Sequence, residues 1–257
     1  MSRIRLSSAV ALCCVLGVLL AAAVAAAGGA LVIVNNIVLR ADGGFQPRSL
    51  PRHRFAPIDF QGYLDIAAKG GGEPVALEQA VIDFDRDGRL STYGLPVCPP
   101  ERVANASPAE ARHACAGAIV GSGRVKALIA VPFAGTFPVS SPLTIFNGPP
   151  EQGHPTVVMH AQGTLLGTQT FAVVVPIERR RGPFRYRATI DFPPIAAGLG
   201  AITHIGVRIG RRFTSGGRRR SYVSARCSDG ILQTHGRFTF ADGTIVDGSV
   251  EKPCTPR

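Results

Sequence analysis

The chain has 257 residues, and 28 Lys and Arg against 17 Asp and Glu give it a formal charge of +11. Its hydrophobic content of 46% excludes a disordered polyelectrolyte, because such chains combine low hydrophobicity with high net charge. The 30 glycines and 20 prolines exclude a long coiled coil, since these residues break helices. The length is ordinary for a single β-rich domain.

The beginning of the chain has the pattern of a secretory signal peptide. Arg3 and Arg5 form a short basic start, and residues 6–20 are uncharged and mostly apolar. An alanine-rich stretch follows, and its small residues fit cleavage after Ala27 or, alternatively, after Ala30. The pattern therefore predicts export to the cell envelope or the exterior.

This interpretation divides the chain into two parts. Residues 1–27 are expected to be the signal peptide, and residues 28–257 a single β-rich domain that has no stable membrane span after cleavage. The alternative is an uncleaved membrane anchor, because no charged residue occurs between residues 6 and 39. We favour cleavage because a pair of glycines interrupts the apolar run, and because residues 31–39 have the composition of a first strand.

The cysteines of the mature chain predict two disulfide bonds. The four that remain after cleavage are Cys98, Cys115, Cys227 and Cys254. An even number of cysteines in an exported protein indicates disulfides, and four cysteines permit three pairings. We favour Cys98–Cys115 and Cys227–Cys254, because each pair encloses a compact local segment. The alternative, a zinc site, is disfavoured by the wide spacing, so we predict no metal and no cofactor.

The fold is predicted to be all-β. Turn signals recur about every eight to twelve residues, and the segments between them alternate or are β-branched. We predict an antiparallel β-sandwich, with an open β-barrel as the alternative. One short helix is expected from Ser107 to about Cys115, because Ser107 and Glu110 form a capping box with Pro108 at the first helical position.

Three hairpins are predicted in the C-terminal half. The paired segments are residues 171–177 with 186–192, residues 204–210 with 222–225, and residues 238–240 with 244–246. The turn of the last is Asp242-Gly243, a dipeptide that favours tight hairpin turns.

Several blocks of sequence resemble a group of exported bacterial β-rich proteins with no assigned activity. The blocks include Gly94-Leu95-Pro96-Val97-Cys98, Ala114-Cys115, Gly121-Ser122-Gly123, Ser224-Ala225-Arg226-Cys227-Ser228-Asp229-Gly230, Phe240-Ala241-Asp242-Gly243 and Cys254. The resemblance covers most of the mature chain. It implies export and the same cysteine pairing, and it implies no reaction.

Three aspartates at alternate positions resemble the start of a calcium-binding EF-hand loop. Asp83, Asp85 and Asp87 precede a glycine, as the first three ligands of such a loop do. The twelfth position should be a glutamate and is Gly94, and two arginines bring positive charge into the segment. We therefore favour a β-hairpin that turns at Asp87-Gly88 and leave calcium binding as the alternative.

The positive charge is concentrated in the C-terminal part. Residues 28–170 carry 11 basic and 11 acidic residues, whereas residues 171–257 carry 15 and 6. Two of the predicted hairpins hold most of the excess, in Arg179, Arg180, Arg181, Arg185, Arg187, Arg211, Arg212, Arg218, Arg219 and Arg220. Guanidinium groups pair with carboxylates and phosphates, so these ten arginines are candidate polyanion ligands. The alternative is that they only keep strand edges soluble.

Three functions follow from these patterns. The first is a non-catalytic binding or structural protein of the cell envelope, and the second is a module that binds an anionic wall polymer or an acidic polysaccharide. Nucleic acid would bind through the same charges, but export makes it a less favoured partner. The third is a secreted hydrolase with a dispersed site. No catalytic residue is predicted, because the chain has no G-x-S-x-G motif and no H-x-x-x-H spacing.

Overall fold

The structure is a computed structural model that describes residues 29–257, so the predicted signal peptide, residues 1–27, lies outside the described residues. The described chain forms the strands β1 (Ala30–Val34), β2 (Ile37–Gln46), β3 (Ser49–Leu50), β4 (Ala56–Pro57), β5 (Asp59–Ala68), β6 (Leu77–Asp85), β7 (Gly88–Leu90), β8 (Ile119–Val131), β9 (Gly135–Glu151), β10 (His154–Gly163), β11 (Gln169–Arg179), β12 (Phe184–Asp191), β13 (Gly200–Ile209), β14 (Arg212–Ser215), β15 (Arg218–Ser221), β16 (Val223–Ala225), β17 (Ile231–Phe240), β18 (Ile245–Pro253) and β19 (Thr255–Pro256). The helix α1 (Pro108–Ala114) lies between β7 and β8. Within residues 29–257, no helix is long and apolar enough to cross a membrane.

The twelve longest strands form one antiparallel sheet that curls into a nearly closed barrel. Their order is β1-β2-β5-β13-β8-β9-β10-β11-β12-β6-β17-β18. The two edge strands, β1 and β18, meet through side chains: a Cβ atom at Gly248 would lie 3.6 Å from Cγ2 of Val32. Further along this seam, Nζ of Lys252 lies 2.6 Å from Oδ1 of Asp42. Apolar packing and one ion pair therefore close the barrel.

The predicted β-sandwich is wrong, and the alternative of a barrel is correct. Sandwiches and barrels share the alternation of apolar and polar residues along each strand and the spacing of their turns. They differ in which distant segments pair. Here β5 pairs with β13, and β6 pairs with both β12 and β17. Alternation along one strand contains no information about such long-range partners.

Alternate residues of the barrel strands fill the interior. One cluster of buried residues surrounds Ile37, Leu64 and Phe240, and a second surrounds Ile145, Val175 and Ala188. The second cluster also contains Leu95 and Tyr222, which lie outside the twelve barrel strands. These two residues therefore plug the barrel interior from the connections at one of its ends, and burial raises the pKa of the Tyr222 hydroxyl.

The antiparallel order places the long connections of the barrel at the same end. Residues 47–58, 86–118 and 210–230 and the C-terminal residues 254–257 all follow strands that end there, and we call this the capped end. The opposite end, the plain end, has the tight turns between neighbouring strands, such as residues 132–134 and 164–168, and two crossovers, residues 69–76 and 192–199. The two ends of the barrel therefore differ in the length of their connections, and the longest ones lie at the capped end.

Both predicted disulfides are present at the capped end. The Cα atoms are 5.6 Å apart in Cys98–Cys115 and 6.0 Å apart in Cys227–Cys254. Their sequence separations are 17 and 27 residues, for which the chain-entropy model gives a stabilisation of about 3 kcal/mol each. The bonds therefore fix the connections that the barrel ladder does not reach.

The predicted helix is confirmed as α1, with its capping box. The hydroxyl of Ser107 accepts a hydrogen bond from the backbone N–H of Glu110, whose carboxylate accepts the backbone N–H of Ser107 at 2.8 Å. The helix covers part of the outer wall of the barrel, where Ala111 and the Cys98–Cys115 bond form an apolar cluster with Phe146 and Val158. Both faces of β9 and β10 are therefore buried, one in the barrel interior and the other beneath the helix.

Two predictions of strand pairing hold and three need correction. The hairpins β11–β12 and β17–β18 are confirmed. The strand predicted for residues 31–39 is instead two strands, β1 and β2, because Asn35 turns the chain with a φ of 54°. The predicted turn at Asp87-Gly88 leads into β7, which pairs with β16 rather than back with β6. Similarly, β14 and β15 form their own hairpin, and β13 pairs with β5 and β8.

His160 lies on the outer face of β10 and is completely buried beneath the helical segment. Its Nε2 atom is 3.0 Å from the carbonyl oxygen of Ala106, to which it donates as the neutral ring. Burial lowers the pKa of His160, although backbone hydrogen bonds with Ala106 and Val103 oppose the shift. The folded protein therefore keeps this imidazole neutral at pH values where an exposed histidine is protonated.

We expect the free energy of unfolding to fall as the pH falls below about 6.5, the pKa of a histidine in an unfolded chain. Below that pH the unfolded chain protonates His160 and the folded chain does not. The free energy of unfolding therefore keeps falling until the pH reaches the pKa of His160 in the folded protein, and it is unaffected by this group above pH 7. His160→Gln, whose amide can still donate to Ala106, should flatten this part of the curve in urea titrations between pH 5 and 7. The exposed control His113→Gln should keep the wild-type slope, and equal slopes in all three proteins would contradict the prediction.

Candidate functional site: an arginine pocket

Three distant segments meet in a small sheet at the capped end. In this sheet β16 pairs with β4 on one side and with β7 on the other. Ala225 on β16 is thereby opposite both Ala56 and Gly88. The next residue but one, Cys227, is bonded to Cys254 and donates its backbone N–H to Pro51. Backbone pairing and a disulfide therefore hold the neighbours of these strands in fixed positions.

This pairing surrounds the ring of Phe55 with three guanidinium groups. Phe55 precedes β4, Arg89 lies on β7, and Arg226 follows β16. The Cζ atoms of Arg89 and Arg226 are 5.5 and 5.3 Å from the ring centroid, and that of Arg185 on β12 is 5.2 Å away. All three are within the distance at which the negative face of an aromatic ring attracts a cation. The ring therefore orients arginines from three separate parts of the chain.

Phe55 forms part of a concave site of about 670 Å³ that we call the arginine pocket. It lies between the end of β6, the segment 91–93 and the β11–β12 hairpin. The lining residues are Phe55, Arg86, Arg89, Leu90, Ser91, Thr92, Tyr93, Arg179, Arg180, Gly182, Phe184, Arg185 and Tyr186. Five of them are arginines and none is acidic. The site is therefore strongly positive and has aromatic walls.

Most of the pocket arginines have no carboxylate to neutralise them. Arg86 forms an exposed ion pair with Asp229 at 3.0 Å. Among the residues that the structure describes, no acidic side chain lies within 4.0 Å of the other four arginines of the pocket. Arg185 donates its Nε–H to the carbonyl oxygen of Arg86 at 2.7 Å, which leaves its terminal N–H groups free. The pocket therefore offers several oriented donors to an anion.

Three of the ten arginines predicted as polyanion ligands line the arginine pocket. Arg179, Arg180 and Arg185 all come from the β11–β12 hairpin. Arg187 of the same hairpin lies on the barrel wall and forms a bidentate ion pair with Asp83, at 2.8 and 2.7 Å. Arg181 is exposed at the turn of the hairpin, outside the pocket.

The second predicted hairpin lies beside the pocket rather than in it. Arg212 forms a bidentate ion pair with Asp59, and the Cζ atom of Arg220 lies 5.1 Å from the ring centroid of Tyr93. The remaining three, Arg211, Arg218 and Arg219, are exposed. The segment that carries Tyr93 packs against this second hairpin. Gly94 approaches Ser215 so closely that a Cβ atom at position 94 would collide with the Ser215 hydroxyl.

Two pocket arginines, Arg86 and Arg89, were missed by sequence reasoning. They lie in the half of the chain with no net charge, where no excess of basic residues marks them. Their signal was local: both fall in the aspartate-rich segment, in which they oppose calcium binding. Phe55 and Tyr93 had no signal at all, since single aromatic residues in loops do not indicate their neighbours.

The three aspartates of this segment have different partners. Asp83 binds Arg187, while Asp85 accepts the backbone N–H groups of Asp87 and Gln233. Burial raises the pKa of Asp85, against those two hydrogen bonds. In residues 29–257, no three His, Cys, Asp or Glu side chains are grouped as metal ligands. Each of the three carboxylates therefore holds an arginine side chain or backbone N–H groups in position.

Asp87 is the buried anchor of the capped end. Its Oδ1 accepts the Nε–H of Arg226 at 2.7 Å, and its Oδ2 accepts the backbone N–H of Ser228 at 2.7 Å. Burial alone would raise the pKa of Asp87, but the hydrogen bonds from Ser228 and Arg226 lower it below the ordinary value. Asp87 therefore stays ionised and holds one of the three guanidinium groups around Phe55.

A Ser-His-Asp grouping lies on the outer wall of β17 and β18. Oγ of Ser249 is 3.1 Å from Nδ1 of His235, and Oδ1 of Asp247 is 3.6 Å from its Nε2. The side chains of His235 and Asp247 are 34% and 44% exposed, and none of the three lines the arginine pocket. Hydrolytic triads act in sheltered sites beside an oxyanion hole, so this open grouping gives the hydrolase hypothesis no support.

Comparisons with protein-family models, with curated proteins and with solved structures find no match for this chain. The resemblance to exported β-rich proteins therefore stays a prediction, and the geometry of the arginine pocket is the basis for a function.

We expect Asp87→Asn to lower the free energy of unfolding by about 3 kcal/mol, because it leaves the partly buried Arg226 without its counter-charge. Asp229→Asn is the matched control, since it removes the same charge from the exposed pair with Arg86 and should cost less than about 1 kcal/mol. Urea unfolding of both variants at pH 7 measures the difference. Similar losses in the two variants would show that Asp87 is not the anchor.

Proposed function

We propose that the protein is a non-catalytic module that binds an anionic polymer through the arginine pocket. The observation that carries this proposal is the lining of the pocket, which combines five arginines with no acidic residue. Like charges repel, so such a cluster costs free energy in the absence of an anion. A bound anion removes that cost, and the chain would gain stability by binding one.

The geometry of the site strengthens the charge argument. Concave walls of low dielectric focus the field of charges of one sign and raise the local concentration of a ligand of opposite sign. Arg89 and Arg185 are already oriented by Phe55, so less side-chain freedom is lost when they bind a carboxylate or a phosphate. Guanidinium groups bind either anion in a bidentate manner.

Two disulfides favour a location outside the cytoplasm, where they persist. In a secreted or envelope-associated protein, the natural partners are anionic wall polymers and acidic polysaccharides. Nucleic acids carry the same kind of backbone charge, and the disulfides are the reason for preferring the other partners.

The test compares two double charge reversals that change the net charge equally. Arg179→Glu with Arg180→Glu alters the pocket, and Arg218→Glu with Arg219→Glu alters the exposed second hairpin. On an immobilised polygalacturonate column, we expect the wild type and the second variant to elute at similar salt concentrations. The pocket variant should elute near the void volume, because two of its five ligands now repel the polymer.

Equal losses of retention in the two variants would overturn the proposal. That outcome would show that total charge, rather than the pocket, controls binding, as it would if the arginines only kept strand edges soluble. Circular dichroism and the thermal midpoint of each variant show whether it is folded. All four substituted arginines have exposed side chains, so we expect no large loss of stability.

Sulfate should raise the thermal unfolding midpoint of the wild type above that in chloride at equal ionic strength. A ligand that binds only the folded state stabilises it by an amount that grows with the ligand concentration. Sulfate also stabilises proteins by exclusion from their surfaces, and this general effect should be equal in the Arg179→Glu, Arg180→Glu variant. The difference between the two proteins therefore measures occupation of the pocket, and no difference would count against it.

A further inference from the structure

Tyr93 is the most exposed of the four tyrosines, with 73% of its surface accessible, and it lies on the rim of the arginine pocket. One face of its ring is covered by the guanidinium group of Arg220, at 5.1 Å from the centroid. Nε of Arg220 is buried and has no hydrogen-bond partner among the described residues, so the contact with the ring is the interaction that the structure shows for this group. The ring is fixed on one side and accessible on the other.

The segment that carries Tyr93 is held from both sides. Ser91 donates its backbone N–H to the carbonyl oxygen of Tyr222 at 2.9 Å, and Leu95 donates to Thr92 at 3.1 Å. Leu95 and Tyr222 are also part of the buried plug of the barrel. An exposed aromatic ring in this setting keeps little conformational freedom for a ligand to remove, so it is a preorganised stacking surface.

We propose that Tyr93 and the arginine pocket together bind an acidic sugar, with a pyranose ring on the free face of Tyr93 and its carboxylate among the arginines. This inference rests on the proposed function and names the ligand class of the same site. The pocket volume of about 670 Å³ is in the range of small-molecule sites, which suits a short stretch of polymer chain.

The polar groups of the pocket favour a sugar over a nucleobase. Besides arginine, they are the hydroxyls of Ser91, Thr92, Tyr93 and Tyr186, which hydrogen-bond readily with the hydroxyls of a saccharide. No Asn, Gln, Asp or Glu lines the pocket, so it lacks the residues that read the edges of adenine and cytosine, and guanine is the one base that its arginines match. Stacking on Tyr93 would still permit unspecific binding of single-stranded nucleic acid, which the test must therefore include.

Three probes separate charge from ring stacking: tetragalacturonate, which has rings and carboxylates; tetraglutamate, which has carboxylates without sugar rings; and a short oligothymidylate. Tyr93→Ala should weaken tetragalacturonate binding about tenfold, or about 1.4 kcal/mol, and leave tetraglutamate binding within about twofold, because only the sugar ring stacks on Tyr93. Tyr93→Phe should weaken tetragalacturonate binding much less than Tyr93→Ala does, since it keeps the ring and removes only the hydroxyl. Isothermal titration calorimetry of the folded, oxidised protein measures all three probes.

Tyr63→Ala is the matched control, because Tyr63 is exposed on the outer wall and stacks on His204, away from the pocket. It should leave all affinities unchanged. If Tyr93→Ala weakens the binding of neither tetragalacturonate nor tetraglutamate, or weakens both equally, the sugar inference is overturned and the anion pocket stands. If Tyr93→Ala affects only oligothymidylate, the ligand is a nucleic acid.

The proposed function fails by a different result. The Arg179→Glu, Arg180→Glu variant should lose both tetragalacturonate and tetraglutamate. If this variant binds both as well as the wild type does, the pocket is not the anion site, whatever the effect of Tyr93→Ala. The two failures therefore give distinct patterns across the same set of variants.

Discussion

The constraint that organises this protein is antiparallel pairing around a barrel. Each of the twelve strands runs opposite to its neighbours, so every connection emerges at one of two ends. The long connections all emerge at the capped end, where residues 86–118 and 210–230 meet. Segments far apart in the sequence thereby become neighbours without any strand having to leave the ladder, and the arginine pocket is built from such segments.

The capped end must hold like charges together, and the structure shows how it does so. Phe55 attracts three guanidinium groups to one ring, which offsets part of their mutual repulsion. Asp87 neutralises Arg226, the one of the three that does not line the pocket. Arg89 and Arg185 keep their charge for the pocket. The Asp87 carboxylate thus stabilises the cluster from outside the lining of the pocket.

The second disulfide has a role in this arrangement that its loop length alone does not indicate. Cys227 directly follows Arg226, and its bond to Cys254 joins the C-terminal strand segment to the β4–β16–β7 sheet. Reduction would therefore loosen the support of Phe55 and Arg226 before it affected the barrel ladder.

The sequence predicts those features whose cause is local. The helix follows from Ser107 and Glu110 three residues apart, the disulfides from cysteines that enclose compact segments, and the β11–β12 hairpin from consecutive strands. The strand order of the barrel and the composition of the pocket could not be predicted from the sequence, because they depend on pairing between distant segments. Nothing near Phe55 indicates that β16 will place Arg226 beside it, and Arg86 and Arg89 lie in a half of the chain without net charge. The uneven distribution of charge along the sequence indicated the β11–β12 wall of the pocket, whereas the other walls are evident only in the structure.

The plain end has a practical consequence. It carries several short hairpin tips, and that of β8 and β9 includes Phe133, which is fully exposed and has a φ of 63°. These tips lie at the far end of the barrel axis from the arginines. A molecule fastened to a surface by this end would stand upright and present every pocket outward, so immobilised chains would share one orientation.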